Sequence, residues 1–269
     1  MKKKQVIWRR SISVFLALLL CLTLLPAAAL AANTTTPRIT AIGGEDGLSI
    51  STNDHGNGWS YDAASKTLTL NGYNGGRIEV VGDEKQSFTL KLVGNNTIKN
   101  SGSGYGLTVT SEDRSSLDSP GNYMTFTVTG DSGASLKVNG IDIVRRVKLV
   151  IGGSVDVVSE TTERGICALK GGGTGNCGVA IQDNANVTLR SGVEQTQNPF
   201  CLVPIMGNLT IDTSGKIMID ASSTGGPAIR LGNGNVWTYL YCVKEMMVKW
   251  NTGSNYLHVI HTTPHVSHA

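Results

Sequence analysis

The stretch NVWTYLYCV at 235–243 sets Trp237, Tyr239 and Tyr241 at alternate positions. In a β-strand alternate side chains leave the same face about 6.5–7 Å apart, so the three rings would form one row. Flat rings in a row stack on pyranose faces while their polar edges reach sugar hydroxyls. Leu240 and Cys242, of opposite parity, would supply the core-facing side. The competing reading buries the same rings against the end of a β-fold as a cap. We take Trp237, Tyr239 and Tyr241 as the candidate carbohydrate-binding residues.

A second kind of chemistry is suggested by SEDRSSLDSPGN at 111–122, which carries Glu112, Asp113 and Asp118 and ends at Asn122. Several oxygen ligands on one inserted loop suit calcium, which takes six to eight hard ligands at flexible geometry. The spacing departs from an EF-hand, and a solvated polar loop is the alternative. Glu112, Asp113 and Asp118 are the candidate calcium ligands. Four histidines, His258, His261, His265 and His268, crowd the C-terminus. Clustered imidazoles can bind transition metals; Pro264 and the β-branched neighbours argue for a frayed tail instead.

Catalytic patterns are not found. Glycoside hydrolysis needs two acids held at the scissile bond, yet no Asp-Asp pair occurs and the central chain lacks histidine. Lyase chemistry needs a base, and Arg145-Arg146, three residues after Asp142, is the one suggestive group. We read these arginines instead as exposed residues at a strand-joining turn. KGGGTGN (170–176) lacks the order of a phosphate loop and a helix to follow it. No catalytic residue is assigned, and the chain is read as non-enzymatic.

The elements that must position these residues lie behind a separable leader. MKKKQVIWRR is basic, SISVFLALLLCLTLL is apolar, and PAAALAA surrounds an A-x-A site at Ala29-Leu30-Ala31. This is the form of a secretory signal peptide over 1–31, with an apolar run too short to favour a membrane span. Its removal takes Lys2, Lys3, Lys4, Arg9 and Arg10 and no acid, turning a formal +3 into a slight negative charge. The mature chain therefore offers no electrostatic case for nucleic acid, and no second apolar run reaches spanning length. An exported chain permits disulfides among Cys167, Cys177, Cys201 and Cys242, in any of three pairings. Cys167 and Cys201 sit in apolar runs, where a free thiol behaves as a small hydrophobe.

Apolar residues alternate strictly in Phe88-Leu90-Leu92, Met124-Phe126-Val128, Val147-Leu149-Ile151, Val187-Leu189 and Leu209-Ile211. Thr89, Lys91, Thr125, Thr127, Lys148, Thr188 and Thr210 take the other parity, so each segment reads as a half-buried strand. Short runs precede them (GLTV at 106, GICAL at 165, GVAI at 178, PAIRL at 227), and Gly-led strands such as GASLKVNG, GSVDVVS and GKIMIDAS follow. Three short strands per unit, with Val147 placed 23 residues after Met124 and Leu209 placed 22 after Val187, describe the coils of a parallel β-helix. Loop insertions at 111–122 and 170–176 stretch the spacing elsewhere. Asn71, Asn95, Asn139, Asn186 and Asn208 fall at strand edges, where asparagines can stack between coils. A Greek-key sandwich, the competitor, requires two-residue hairpins that are few here.

Open ends of such a stack must be covered. GWSYD and KTLTLNG flank a turn-like AAS, a hairpin with Trp59, Tyr61, Leu68 and Leu70 on one face and Ser60, Asp62, Thr67 and Thr69 on the other. The aromatics of this hairpin face the core as a cap, and ITAIGGEDGLSIST (39–52) reads as a further hairpin before it.

GWSYDAASKTLTLNGYNGG, with SFTLKLVGNNTI and GNLTIDTSGKIMI, resembles the secreted carbohydrate-binding β-helix proteins of clostridia and their relatives over roughly residues 38–235. The resemblance implies a right-handed parallel β-helix of pectate-lyase-like shape and an extracellular, calcium-associated role in binding polysaccharide. The expected organisation is a signal peptide at 1–31, a leader with capping hairpins at 32–76, coils at 77–235, capping strands at 236–260 and a tail at 261–269. The expected partner is a polysaccharide, with calcium as the cofactor. A β-helix lyase or hydrolase acting on pectin-like glycans and a structural surface module are the alternatives.

Overall fold

Period-two alternation is realised as strands, and the described residues contain no helix. The computed structural model describes residues 36–83, 85–100, 104–112, 123–161, 166–172, 177–191, 200–202, 208–221, 229–231, 238–242, 245–250, 256–260 and 266–268. Side chains are described as far as Asp220, apart from those of 191, 200–202, 208 and 209. The leader at 1–31 and the acids Asp113 and Asp118 lie outside these residues.

The strands assemble into three sheets. The first contains, in spatial order, Glu45–Ile50, Arg38–Ile42, Ile78–Gly82, Leu107–Ser111, Ile141–Val144, Leu169–Gly172, Phe200–Leu202 and Ile229–Leu231. The second runs from Asp54–Gly56 through Trp59–Asp62, Thr67–Asn71, Ser87–Val93, Met124–Gly130, Val147–Ile151, Gly178–Asp183, Asn208–Thr213 and Thr238–Cys242 to Val266–His268. The third runs from Asn74–Gly75 through Asn95–Ile98, Ser135–Val138, Asp156–Thr161, Asn186–Ser191, Lys216–Ala221 and Glu245–Trp250 to Tyr256–Ile260. From Ile78 to Trp250 consecutive strands visit the first, second and third sheets in turn, and neighbours within each sheet are parallel.

This order puts the same parity inward at every level. Leu68, Leu90, Val128, Ile151, Ile181 and Ile211 are successive Cα partners, and all six are buried. Beside that column Tyr61 stacks on Phe88 with ring centroids 5.6 Å apart, and Phe88 stacks on Phe126 at 5.7 Å. Columns from all three sheets meet in one cluster, including Ile78, Leu107 and Ile141 from the first and Leu136, Val157 and Val187 from the third. Thr89, Thr125, Thr127 and Thr188 are half-buried and Lys91 and Lys148 exposed, as the alternation requires.

Antiparallel strands close both ends. Trp59 pairs with Leu70 and Tyr61 with Leu68, so the hairpin covers the core with the expected face. The Tyr61 hydroxyl donates to Pro37 O at 3.3 Å. Tyr73 belongs to the same cover, since its buried hydroxyl donates to Gly76 O at 2.8 Å and accepts the Gly43 N–H at 2.9 Å. At the other end Tyr256–Ile260 pairs antiparallel with Glu245–Trp250, and Val266–His268 with Thr238–Leu240. The terminal segment expected to fray thus carries a paired strand.

Three further expectations need correcting. Val187 and Leu209 lie in different sheets, so their 22-residue interval is not a repeat; Val187 pairs with Val157 and Ile217, and Leu209 with Val179. In that half of the chain cross-strand contacts recur at a separation of 30 residues, as from Asp156 to Asn186. GVAI at 178 accordingly belongs to the second sheet rather than leading a unit in the first. The edge asparagines do not stack on one another: the Cα partners of Asn95, Asn186 and Asn208 include Ser135, Asp156 and Gly178 respectively. The asparagine that ties a corner together is Asn96, buried and inward-facing. It accepts the Tyr73 N–H at 2.9 Å and donates to Val93 O, Gly94 O and Ser135 O.

Truncating the ring stack should be costly. Phe126→Ala is expected to lose about 3–5 kcal/mol in urea unfolding, whereas Thr127→Ala, one position away on the outer face, should stay within about 0.5 kcal/mol.

Candidate functional site

Outward positions of the second sheet form rows that cross the strands about 4.8 Å apart. One row runs Thr67, Thr89, Thr127, Val150, Ala180 and Thr210, with Val150 and Ala180 buried in its middle. The next strand pairs Tyr239 with Thr210 and Tyr241 with Asp212, and sets Leu240 against the buried Ile211. Tyr239 and Tyr241 therefore occupy the register of outward residues and Leu240 that of the core. Trp237 lies outside the described residues.

Next to the Tyr241 position is a polar depression of about 490 Å³ lined by Gln182, Asp183, Asn184, Asp212 and Ser214. Two turns from the second sheet into the third build it, at 181–185 and 211–215. Asp183 takes a left-handed conformation with φ of +63°, a region in which Asp and Asn are enriched among non-glycine residues. Its carboxylate accepts the Gly153 N–H at 2.8 Å, and its carbonyl accepts the Ser214 N–H at 2.8 Å. The Ser214 hydroxyl bonds the Asn184 amide oxygen. Asp212 and Gln182, Cα partners in adjacent strands, remain exposed at the mouth. Carboxylates, amides and a hydroxyl at the register of two tyrosines supply both halves of sugar recognition: polar groups for hydroxyls and ring positions for the apolar face.

The outer face of the first sheet holds a different group. Asp142 pairs in register with Thr108 on one side and Lys170 on the other. Its side chain is 14 % exposed, with Oδ2 3.9 Å from the Lys170 ammonium. Oδ1 is buried and has no hydrogen-bond partner among the described residues. Burial outweighs the attraction of Lys170 and holds this carboxyl above the ordinary carboxylate range. The Lys170 ammonium also sits 5.6 Å from the centroid of the Tyr105 ring.

The remaining candidates separate. Arg145 and Arg146 join Ile141–Val144 to Val147–Ile151, as a turn reading requires, but Arg146 is buried at 4 % exposure rather than exposed. Both oxygens of Glu112 accept from Arg38, at 3.0 and 2.6 Å. That carboxylate is engaged in a bidentate ion pair, and the other two candidate ligands, Asp113 and Asp118, lie outside the described residues. No three His, Cys, Asp or Glu gather at one point among the described residues. Cys167 and Cys177 are buried, and burial pushes the Cys177 thiol up to about 12, so it stays protonated and unreactive. Cys201, Cys242, His258 and His268 are placed by their backbone alone, and His261 and His265 lie outside the described residues. The depression at 182–184 and 212–214 has no local motif, because its halves meet only through strand pairing.

Comparison with protein-family models, with curated proteins and with solved structures finds no match.

The Asp142 environment gives a signed pH response. A carboxyl whose folded pKa is raised is destabilising when ionised, and the penalty fades as pH falls through that value toward the ordinary 3.8. Asp142→Asn should therefore raise the melting temperature at neutral pH. The gain should shrink progressively when the same melts are repeated toward pH 4.

Proposed function

We propose that the chain is a right-handed parallel β-helix with three strands per coil, exported from the cell, that binds polysaccharide without cleaving it. Support for the coil comes from the strand order, in which each strand from Ile78–Gly82 through Lys216–Ala221 pairs with the strand three places later. The basic, apolar and small-residue leader supports export. Resemblance of the hairpin and of SFTLKLVGNNTI to the clostridial carbohydrate-binding β-helix proteins points the same way.

The observation that carries the binding reading is the register of Tyr239 and Tyr241 with Thr210 and Asp212, beside the depression at Gln182, Asn184 and Ser214. Adjacent strands repeat at about 4.8 Å, a step comparable to one pyranose unit, so a glycan can meet one strand per sugar from Gln182 through Asp212 to the Tyr241 position. Rings at the 239 and 241 positions stack on sugar faces while Asp212 and Gln182 bond the hydroxyls. No residue is assigned to calcium.

One observation favours hydrolysis as a second reading. Asp142 is held above the ordinary carboxylate range, and Glu79 lies two strands away in the same row, with backbone separation of about 9–10 Å. Inverting glycosidases use a protonated acid and a distant carboxylate base. Glu79 is, however, engaged by Arg77 at 3.3 Å.

A glycan array, with and without chelator, decides between these readings. Capture of a polysaccharide that falls about thirtyfold in Tyr239→Ala/Tyr241→Ala is expected, with no new reducing ends or unsaturated uronates. Silence across plant and microbial glycans, or capture indifferent to both tyrosines, would sink the binding reading. Product release abolished by Asp142→Asn would establish the enzyme.

A further inference from the structure

A groove of about 590 Å³ crosses the outer face of the third sheet, remote in sequence from the tyrosines. Thr97, Lys99, Asn100, Lys137, Asn139 and Glu160 line it. Thr97 and Lys137 are Cα partners in neighbouring strands, and Lys99 follows one residue past the end of the strand that holds Thr97. Lys99 and Lys137 are exposed. Neither has an ion-pair partner among the described residues, and neither does Glu160. The Asn139 amide oxygen is buried and accepts no hydrogen bond among the described residues.

These groups define a ligand by what they lack. Two ammoniums and one carboxylate leave a single uncompensated positive charge, which matches a monoanion better than a dianion. A neutral glycan would cover both ammoniums without supplying a counter-charge, at a desolvation cost. Asn139 Oδ1 and Glu160 require donors, so hydroxyls must flank the anionic group. A phosphodiester is a monoanion that carries a hydroxylated unit on either side, which matches this demand for one negative charge flanked by hydroxyls. We propose that this groove binds a phosphodiester-linked polyol, the phosphate lying between Lys99 and Lys137 and a neighbouring hydroxyl donating to Asn139 Oδ1. The site uses ammoniums in place of a metal and is independent of the tyrosine face.

Titrating the purified chain with poly(glycerol phosphate) in the presence of a chelator tests this. Binding is expected that weakens as salt rises, falls about tenfold or more in Lys99→Gln/Lys137→Gln, and survives in Tyr239→Ala/Tyr241→Ala. Both lysines are exposed, so circular dichroism should report an unchanged fold in that double variant. Absence of binding, or binding unaffected by the lysine substitutions, overturns the site. Equal lysine-dependent capture of oligogalacturonate overturns the phosphodiester assignment, and loss in the tyrosine variant overturns the independence of the two faces.

Discussion

In-register parallel pairing is the constraint from which the rest of this structure follows. Once Leu90 is set against Val128, and Val128 against Ile151, every later strand of the second sheet must present the same parity to the core. A slip of one residue would turn the whole inward set out to solvent. Backbone donors and acceptors are satisfied by neighbouring strands, so the core needs little beyond a suitably sized apolar residue at each inward position. The outward positions are thereby released from folding and free to carry recognition.

Corners are where the alternation gives out, and buried polar groups take over there. Asn96 replaces a core residue to bond three carbonyls and one N–H around the turn after Val93. Ser159 donates to Ala168 O at 2.5 Å, and Thr213 donates to Ala185 O while accepting the Gly215 N–H. A side chain at Gly215 would collide with the Ala185 carbonyl, so that turn requires glycine. Each device answers the cost of leaving a buried backbone group unpaired. They differ from corner to corner, which is why the turns share no common sequence.

That difference marks the border of what the sequence reveals. Strand parity was legible, because Phe88, Phe126 and Leu149 announce it through alternation alone, and so was the hairpin cap with Trp59 and Tyr61. The sheet to which a strand belongs was not. Val187-Leu189 and Leu209-Ile211 have the same local pattern, and only the 30-residue separation of their true partners assigns them to different sheets. Asn95 and Asn96 are adjacent and chemically identical, yet parity makes the first a surface residue and the second a buried tie. The row of Tyr239 and Tyr241 could be read locally, whereas Gln182 and Asp212 become neighbours only through pairing. Charge gave no warning that Arg146 is buried.

The outer face of the third sheet shows how far recognition and stability have separated. Toward the C-terminal end Arg190 lies 3.7 Å from Asp220, and the neutral Asn186 amide donates to Asp156 at 2.5 Å. Toward the N-terminal end Lys137 on the same sheet and Lys99, one residue past its strand, have no ion pair among the described residues. Exposed ion pairs contribute only about 0–1 kcal/mol, so stability does not demand compensation at either end. The core columns beneath the two regions are alike, with Ile98 and Val138 under one and Leu189 and Ile219 under the other. Folding therefore does not account for the change in surface charge along the sheet. What distinguishes the two regions is that Arg190 is paired with Asp220, whereas Lys99 and Lys137 have no ion pair among the described residues.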